Sequence, residues 1–453
     1  MPHSVPLLSF RAGSPYMWST AKRQHVTFLW LKLPQKQKEP EVTMSVTATP
    51  SGARIGVQRL RLYAVAALTA QYSVLAIWAV RRYGLHDPQS PMVGDEFVIF
   101  WAAARVALEH GAPAIFSPDL MRPIESALWW QDSFSPCPYP PTFLLLIIPF
   151  GLLSFGGALI AFFGAGIATY MTMMSKLARA CGSGTFLAMA AFPGVAVALA
   201  TGQNSLFTAA AAGGALALLP ASPILAGACI AALVIKPQFG ILIPIALIFG
   251  RQWMALASAA VCSVVIIVVS TALFGFKTWQ AFAAFLPEFN RFAVVHGREL
   301  WSGMPTVFAA LRLAGSPIGV AYAAHALVAL PAVFSMAYLW IKGARFELRA
   351  AALVTATLVA QPYFLFYDLV WLALPIVFLL RDAETVALSR FELAVIAAAW
   401  LMPAVEFFTD RARAPIQLGP VVLIALLAII IRRHFAAPSR SSSPLASAAA
   451  VVS

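Results

Sequence analysis

Two adjacent carboxylates stand where a predicted amphipathic helix begins, and either of them has the chemistry of a general base. Asp95 and Glu96 follow Gly94 and precede an amphipathic stretch from Phe97 to Leu108. A carboxylate within hydrogen-bond reach of an attacking hydroxyl group can take up its proton during group transfer. Adjacent residues at a helix start point in different directions, so we favour Asp95 and keep Glu96 as the alternative. The simpler interpretation is that these charges only complement the helix dipole.

A second set of residues has the types needed to bind a phosphate group. Lys236 ends an apolar run before Pro237, and an ammonium at this depth could hold a phosphate and stabilise it as a leaving group. Gln238, and Gln203 with Asn204 on the preceding polar turn, could add neutral hydrogen bonds. The alternative for the lysine is that its ammonium simply extends to the membrane interface. Amides also cap helices, so each residue alone is a weak signal.

Polar residues later in the chain extend the candidate site. Asp368, with Tyr363 and Tyr367, stands where an apolar segment begins. An acidic residue near a membrane boundary suggests function, although a helix N-terminus again offers a dipole explanation. His296 and Arg298 lie in a long polar segment and could contact substrate or a metal ion. Most such charges are only solvated.

The elements that position these residues must lie in a membrane. Of the 453 residues, 60% are hydrophobic and only 11% are charged, and the mean hydropathy is +0.81. These values lie well outside the range of soluble globular domains. A spanning helix needs roughly 20 mainly apolar residues, and long stretches carry no Asp, Glu, Lys or Arg. We predict an all-α polytopic membrane protein with about 12 transmembrane helices plus interfacial or re-entrant helices.

The charges at the ends of the apolar runs predict the orientation. Lys and Arg are enriched on one side, which the positive-inside rule assigns to the cytoplasm together with both chain termini. Arg81 and Arg82 depart from this rule at the first span. Long outer segments follow at 81–156 and 276–316. We place the spans near 62–80, 157–175, 185–200, 205–219, 223–236, 238–250, 253–275, 317–340, 350–362, 366–380, 392–408 and 415–431.

The same topology collects the unusual polar motifs on the outer face. A polar cluster at a membrane boundary can reach both a lipid headgroup and an acceptor, so this convergence is the main argument for an active site there. A re-entrant or interfacial helix is expected after the second motif. The motifs are Gly94-Asp95-Glu96-Phe97, Tyr139-Pro140-Pro141, Gly202-Gln203-Asn204, Lys236-Pro237-Gln238, and Gln361-Pro362-Tyr363 through Tyr367-Asp368.

The chain divides into three predicted parts. Residues 1–58 are polar, basic and rich in Pro, Ser, Thr and Gln, which predicts a disordered cytoplasmic tail. Met44 is an alternative start, and no convincing signal peptide precedes the first span. The transmembrane domain is placed at 59–434, and residues 435–453 are expected to form a second disordered cytoplasmic tail. We expect a multi-pass protein of the inner (plasma) membrane.

Several function classes are excluded by the sequence pattern. The net charge of +13 comes from basic residues at the ends of apolar runs rather than on one stripe, so no nucleic acid partner is expected. The four cysteines lack metal-ligand spacing and are interpreted as packing residues. No Walker A loop, dinucleotide-binding GxGxxG, HExxH or DxD-like motif is present. No metal ligand is assigned, and dependence on a divalent cation stays open.

The order of the motifs resembles the bacterial membrane glycosyltransferase family 87, which is related to polyprenyl-phosphate-mannose-dependent mannosyltransferases of the GT-C type. The resemblance runs from about residue 60 to 431, and the series is more specific than any one motif. It comprises Gly94-Asp95-Glu96-Phe97 with Trp101-Ala102-Ala103-Ala104-Arg105, Tyr139-Pro140-Pro141, Gly202-Gln203-Asn204, Leu225-Ala226-Gly227 through Lys236-Pro237-Gln238, and Tyr363 through Tyr367-Asp368-Leu369.

The resemblance implies a GT-C-like fold, an extracytoplasmic active site and an inverting hexosyltransferase. It implies a polyprenyl-phosphate sugar, with mannose favoured, as the donor, and a lipid or glycan as the acceptor. The resemblance further implies that an acidic residue of the first outer loop is the catalytic base, and this residue matches Asp95, although Glu96 stands where many relatives have an apolar or aromatic residue. A transporter or flippase of a lipid-linked or small polar substrate is the main alternative, but neither midplane charges nor interrupted repeats are clear. A noncatalytic membrane assembly protein would need no polar cluster.

Overall fold

The protein is built from α-helices. The computed structural model describes residues 57–179 and 181–436, and within these ranges there is no β-strand. The α-helices are α1 Val57–Ala79, α2 Phe97–His110, α3 Pro118–Trp129, α4 Leu144–Gly151, α5 Phe155–Ala178, α6 Ser183–Ala190, α7 Pro193–Thr201, α8 Ser205–Leu218, α9 Pro223–Ala231, α10 Leu242–Phe249, α11 Trp253–Phe274, α12 Phe276–Asn290, α13 Arg298–Trp301, α14 Val307–Leu313, α15 Ile318–Ile341, α16 Phe346–Ala360, α17 Ala373–Asp382, α18 Arg390–Arg411 and α19 Gly419–Phe435. Turns of 3₁₀ helix occur at Ala112–Phe116, Pro141–Phe143, Ala232–Ile235, Pro237–Gly240 and Phe366–Leu372, and π-helical turns at Val80–Gly84 and Arg291–Val295.

The predicted terminal tails lie almost entirely outside the described residues. Helix α1 begins at Val57, just before the predicted end of the N-terminal tail, and α19 ends at Phe435. The alternative start at Met44 also lies outside the described part. The predicted disorder of both tails therefore stays a prediction.

The number of helices long enough to cross a membrane is smaller than predicted. Among the described residues, six helical segments have the necessary length and hydropathy: Gln58–Gly84, Phe155–Ala178, Ser183–Thr201, Trp253–Phe274, Ile318–Ile341 and Arg390–Arg411. The other predicted spans contain shorter helices, such as α8 with 14 residues and α16 with 15. Proline explains several helix starts, because Pro193 and Pro223 lack the N–H needed to continue a preceding helix. The expected count of about 12 spans is not confirmed.

The helices divide into a buried inner set and an outer set with an apolar surface. Every residue of α7 and of the turn Phe366–Leu372 is buried. On the outside, Leu62 of α1 is 65% exposed and Val261 of α11 is 63% exposed. A soluble protein rarely exposes apolar faces of this extent, whereas a bilayer-facing surface requires them. Short helices such as α7, α8 and α16, which have no exposed residue, are therefore shielded from lipid by longer ones.

The predicted outer segment 81–156 folds into a compact helical layer. Helix α2 covers the predicted amphipathic stretch, and its Phe97 and Phe100 rings pack 4.8 Å from those of Phe162 and Phe143, respectively. The chain then passes through Pro141–Phe143 into α4, which is too short to cross a bilayer by itself. This aromatic layer gives the loop carrying Asp95 a rigid support.

Ion pairs join the helix ends at another part of the fold. Asp382 at the end of α17 accepts hydrogen bonds from Arg345 Nε at 2.6 Å and Arg433 Nε at 2.7 Å. Both Asp382 and Arg433 are buried. A buried carboxylate needs such partners, because an unpaired charge in this environment is strongly destabilising. These charges lie at helix ends predicted to be cytoplasmic, and none of them lines the cavity described next.

Candidate active site

A cavity of about 910 Å³ forms where distant segments of the chain converge. Its lining comes from helix ends and loops that the sequence places on the outer face. The structure therefore brings the predicted polar motifs together, while the side of the membrane on which they lie stays a prediction. The charged residues in the lining are Arg82, Asp95, Glu96, Lys236, Asp368 and Arg411.

The loop carrying the two carboxylates is fixed to the end of α7. The amide of Gly94 donates to the carbonyl of Ala200 at 2.8 Å, and the amide of Glu96 donates to that of Thr201 at 2.8 Å. These carbonyls belong to the last turn of a helix, where intrahelical partners are missing. Gly202 follows with a φ of +78°, and a Cβ there would lie 2.8 Å from the Cα of Gly94. Only glycine allows this close approach without displacement.

Asp95 is held by contacts from two other parts of the chain. Its Oδ2 accepts a hydrogen bond from Arg411 Nη2 at 2.8 Å, and its Oδ1 accepts one from the amide of Glu96 at 3.0 Å. The indole of Trp129 donates to its backbone carbonyl at 3.0 Å. Burial raises the pKa of Asp95 above its ordinary value, and the guanidinium of Arg411 opposes this shift. The carboxylate thus faces the cavity on an anchored backbone.

Glu96 belongs to a different hydrogen-bonded chain. Its Oε2 accepts a hydrogen bond from Gln203 Nε2, and Gln203 Oε1 accepts one from the hydroxyl of Tyr139 at 3.1 Å. Burial, followed by the neighbouring Asp95 carboxylate, raises the pKa of Glu96 to about 8. Glu96 is then mostly protonated at neutral pH, whereas Asp95 has an arginine partner that favours its charge. The two adjacent carboxyl groups therefore differ in their electrostatic environment.

Lys236 and Asp368 form a buried ion pair at the cavity wall. The ammonium lies 2.6 Å from Oδ1 and 2.9 Å from Oδ2 of Asp368, and the hydroxyl of Ser205 donates to Oδ1 at 2.8 Å. The side chains are 7% and 1% exposed, respectively. The ammonium also lies 5.1 Å from the centroid of the Tyr367 ring. Lys236 is thus neither isolated nor extended into open solvent.

Buried polar contacts also position the segment that carries Tyr139. Glu125 of α3 is fully buried, and its Oε2 accepts a hydrogen bond from the amide of Ser135 at 2.8 Å. Ser126 exchanges hydrogen bonds with the backbone of Ser133. The ring of Tyr139 then stacks on an aromatic neighbour of the α2 layer, Phe143, at 4.2 Å. The tyrosine hydroxyl is consequently directed at Gln203 by a fixed backbone.

The rest of the lining is largely aromatic and aliphatic. Phe282, Leu286 and Phe289 of α12 line the cavity. The ring of Phe289 meets that of Tyr363 edge to face, with the centroids 5.8 Å apart. This wall is chemically suited to the apolar faces of a sugar or to the first units of a lipid chain.

The remaining predicted residues differ in whether they line the cavity. Gln238 lines the cavity, and its backbone carbonyl accepts a hydrogen bond from Gln361 Nε2 at 2.8 Å. Asn204 is fully buried next to the cavity without lining it, and its side-chain amide has no hydrogen-bond partner among the described residues. His296 and Arg298 are exposed and do not line the cavity. A role for the last two residues stays a prediction.

The structure adds two arginines to the site. Arg411 ends α18, and Arg82 follows α1 with its guanidinium 3.9 Å from the ring centroid of Trp130. Arg82 donates to the carbonyls of Pro88 at 3.1 Å and Trp129 at 2.7 Å. One signal was present in the sequence, because Arg82 departs from the positive-inside rule. Nothing in the sequence linked Arg411 to Asp95, which lies 316 positions earlier.

The described residues contain no group of three or more His, Cys, Asp and Glu side chains that could hold a metal ion. Dependence on a divalent cation therefore stays open, as the sequence left it.

Comparison with known proteins places the chain in a family. Residues 138–367 match the model of glycosyltransferase family 87. The matched region contains Tyr139, Gln203 and Lys236, whereas Asp368 and the residues before 138, Asp95 among them, lie outside it. No curated protein and no solved structure matches the chain. Since the match extends over half of the sequence, and the helices have the length and surface of membrane spans, the chain belongs to glycosyltransferase family 87 and is a membrane glycosyltransferase.

Proposed function

We propose that the protein transfers a hexose, with mannose favoured, from a polyprenyl-phosphate donor to a lipid or glycan acceptor. The reaction would occur at the extracytoplasmic face of the inner membrane. The observation that carries this proposal is the cavity itself. It contains the carboxylate of Asp95, which has a cationic partner, together with the Lys236–Asp368 pair and an aromatic wall. Transfer from a sugar phosphate needs a base, positive charge for the leaving group and a surface for the sugar.

An apolar groove beside the cavity supports a lipid-linked donor. The groove has a volume of about 710 Å³ and is bordered mainly by α5, α8 and the 3₁₀ turn Ala232–Ile235. Ile235, the residue before Lys236, lines both the groove and the cavity. A donor with its phosphate near Lys236 could therefore place its isoprenoid chain among apolar side chains such as Ala211 and Ile266. A water-soluble nucleotide sugar would make no use of this surface.

The proposed reaction is a direct displacement. The oxygen of an acceptor hydroxyl attacks the anomeric carbon, and the bond from that carbon to the phosphate oxygen breaks with inversion. The hydroxyl proton passes to the carboxylate of Asp95, and the electron pair of the broken bond remains on the departing polyprenyl phosphate. The leaving phosphate gains negative charge, which cationic side chains in the cavity stabilise. Glu96, with its raised pKa, is less suited to this role at neutral pH.

The test uses purified protein reconstituted in lipid with radiolabelled polyprenyl-phosphate hexoses and a total membrane extract as the source of acceptors. The unaltered protein should transfer the label, and Asp95→Asn should abolish transfer while the protein remains folded. Asp87→Asn is a matched control, because Asp87 is also 24% exposed, also pairs with an arginine and lies in the same segment. Its activity should be unchanged, since Asp87 does not line the cavity.

The outcomes separate the candidate functions. Full activity in Asp95→Asn would remove Asp95 from the mechanism. No transfer from any donor by the unaltered protein, together with translocation of a lipid-linked substrate across vesicles, would contradict the proposal in favour of a transporter or flippase. Transfer from a nucleotide sugar alone would contradict the lipid-linked donor.

A further inference from the structure

The cationic side chains of the cavity differ in their freedom to bind a new anion. Lys236 contacts both oxygens of Asp368 and is nearly buried. Arg82 is 5% exposed, stacks on a tryptophan and donates to two backbone carbonyls. Arg411 is 45% exposed, and among the described residues its one hydrogen bond joins Nη2 to Asp95. Since a guanidinium has five N–H donors, most of its binding capacity is unused.

The backbone around Asp95 does not depend on Arg411. Gly94 and Glu96 are bonded to the end of α7, and the indole of Trp129 donates to the Asp95 carbonyl. Arg411 itself projects from the last turn of α18, where the preceding Asp410 accepts a hydrogen bond from Ser302 at 2.8 Å. Both partners are thus held from outside the pair. The contact between the two side chains can break without unfolding either segment.

From these contacts we infer that Arg411 is shared between Asp95 and the phosphate group of the donor. In the empty site the guanidinium pairs with the carboxylate, and an incoming phosphate, which a planar guanidinium can bind through two parallel hydrogen bonds, draws it away. Donor binding then leaves Asp95 without its cationic partner and available to accept the proton of the acceptor hydroxyl. This inference rests on the proposed function and adds to it a link between donor loading and the release of the base.

The arrangement has a functional consequence. A carboxylate paired with an arginine is a weaker base than an unpaired one, because the pair stabilises its charged form. The base therefore reaches full strength only when a donor phosphate occupies the cavity. The same guanidinium then lies beside the phosphate as its charge increases during bond cleavage.

Binding of sugar-free polyprenyl phosphate to the reconstituted protein provides a test that does not require turnover. Arg411→Gln should weaken binding at least about tenfold, the loss expected for a charge-assisted hydrogen bond. Asp95→Asn should bind the lipid several-fold more tightly than the unaltered protein, because Arg411 is no longer shared. This gain should disappear in the double variant Asp95→Asn/Arg411→Gln. If the carboxylate acted only by repelling the phosphate, the gain would persist without the arginine.

A matched control and a conservative variant complete the design. Arg81 is 55% exposed and pairs with Asp87 in the same segment as Asp95, but it does not line the cavity. Arg81→Gln should therefore bind like the unaltered protein. Arg411→Lys keeps the charge but loses the planar fork, so its affinity should fall between that of the unaltered protein and that of Arg411→Gln. This variant also serves if Arg411→Gln fails to fold.

The results distinguish this inference from the proposed function. Transfer by the unaltered protein, combined with normal binding by both Arg411 variants, would overturn the inference and leave the proposed function intact. A gain from Asp95→Asn that persists in the double variant would also overturn it. Neither binding of polyprenyl phosphate nor transfer of sugar by the unaltered protein would instead refute the proposed function on which the inference rests.

Discussion

Gly202 offers a direct test of the contact that holds the Asp95–Glu96 loop against α7. Its backbone is left-handed, with φ of 78° and ψ of 25°. A Cβ at this position would lie 2.7 Å from Phe97 Cβ, 2.8 Å from Gly94 Cα and 2.9 Å from Phe97 N. Two of these atoms are backbone atoms that no side-chain rotation can move. Gly202→Ala must therefore push the Asp95–Glu96 loop away from the helix end.

The expected loss of folding stability in Gly202→Ala has two parts. An alanine in the left-handed region costs about 1 kcal/mol, and a contact this close adds overpacking of about 1–3 kcal/mol. We expect Gly202→Ala to destabilise the protein by about 3 kcal/mol in total. A displacement of the proposed base, Asp95, by about 1 Å can lower the rate roughly 100-fold, so activity should fall far more than stability alone explains.

Gly343 separates the two contributions. It follows the end of α15 with a φ of +60°, but a Cβ added there would meet no atom within 4 Å. Gly343→Ala should cost only the backbone strain of about 1 kcal/mol and leave transfer unchanged. Thermal melting in detergent and initial rates of sugar transfer, measured below both melting transitions, compare the two variants. Equal melting and equal rates for Gly202→Ala and Gly343→Ala would refute the close-approach argument.

Three further predictions concern charge and the groove. The pKa of Glu96 is raised from 4.5 to about 8, so between these pH values the folded protein retains a proton that the unfolded chain has lost. Thermal stability should therefore decline as the pH rises from 4.5 to about 8, and Glu96→Gln should flatten this decline. An unchanged decline in the variant would contradict the assignment of the pH dependence to Glu96. Lys236→Met and Asp368→Asn should each destabilise the fold by about 3–5 kcal/mol, because each single change leaves a buried charge unpaired. The double variant should lose clearly less stability than the sum of the two single losses, and additive losses in melting experiments would exclude such coupling. Ala211→Trp should fill the apolar groove and reduce transfer from long-chain donors more than transfer from short-chain donors. Val261→Trp, on the exposed face of α11, should affect transfer from neither donor. An equal loss with both donors in Ala211→Trp would show that the groove does not bind the lipid chain of the donor.

The membrane character of the protein follows from the sequence because composition and hydropathy are properties of the whole chain. Continuous apolar runs predicted twelve spans, and the structure has helices in all of them, because a backbone buried in lipid requires internal hydrogen bonds. The sequence did not show that only some of these helices reach full spanning length. Short helices such as α8 and α16 are packed behind longer ones, and this shielding is a tertiary property.

The residues of the candidate site were likewise predicted only in part from the sequence. Residue types alone pointed to Asp95, Glu96 and Lys236, because charged groups are rare in so apolar a chain and stand out beside glycine and proline. His296 and Arg298 are also ionisable, but they are exposed and do not line the cavity. Local sequence could not distinguish a residue that faces the cavity from one that faces solvent.

The pairing of the charges was decided by tertiary structure alone. Lys236 meets Asp368 across 132 positions, and Asp95 meets Arg411 across 316. No local pattern carries this information, because an ion pair depends on which helix ends come together and on how deeply each side chain is buried. The sequence by itself determined that the protein resides in a membrane and which residue types its chemistry would use. The packing of helix ends around one cavity decided that Lys236 pairs with the buried carboxylate of Asp368 and that Asp95 pairs with the partly exposed Arg411.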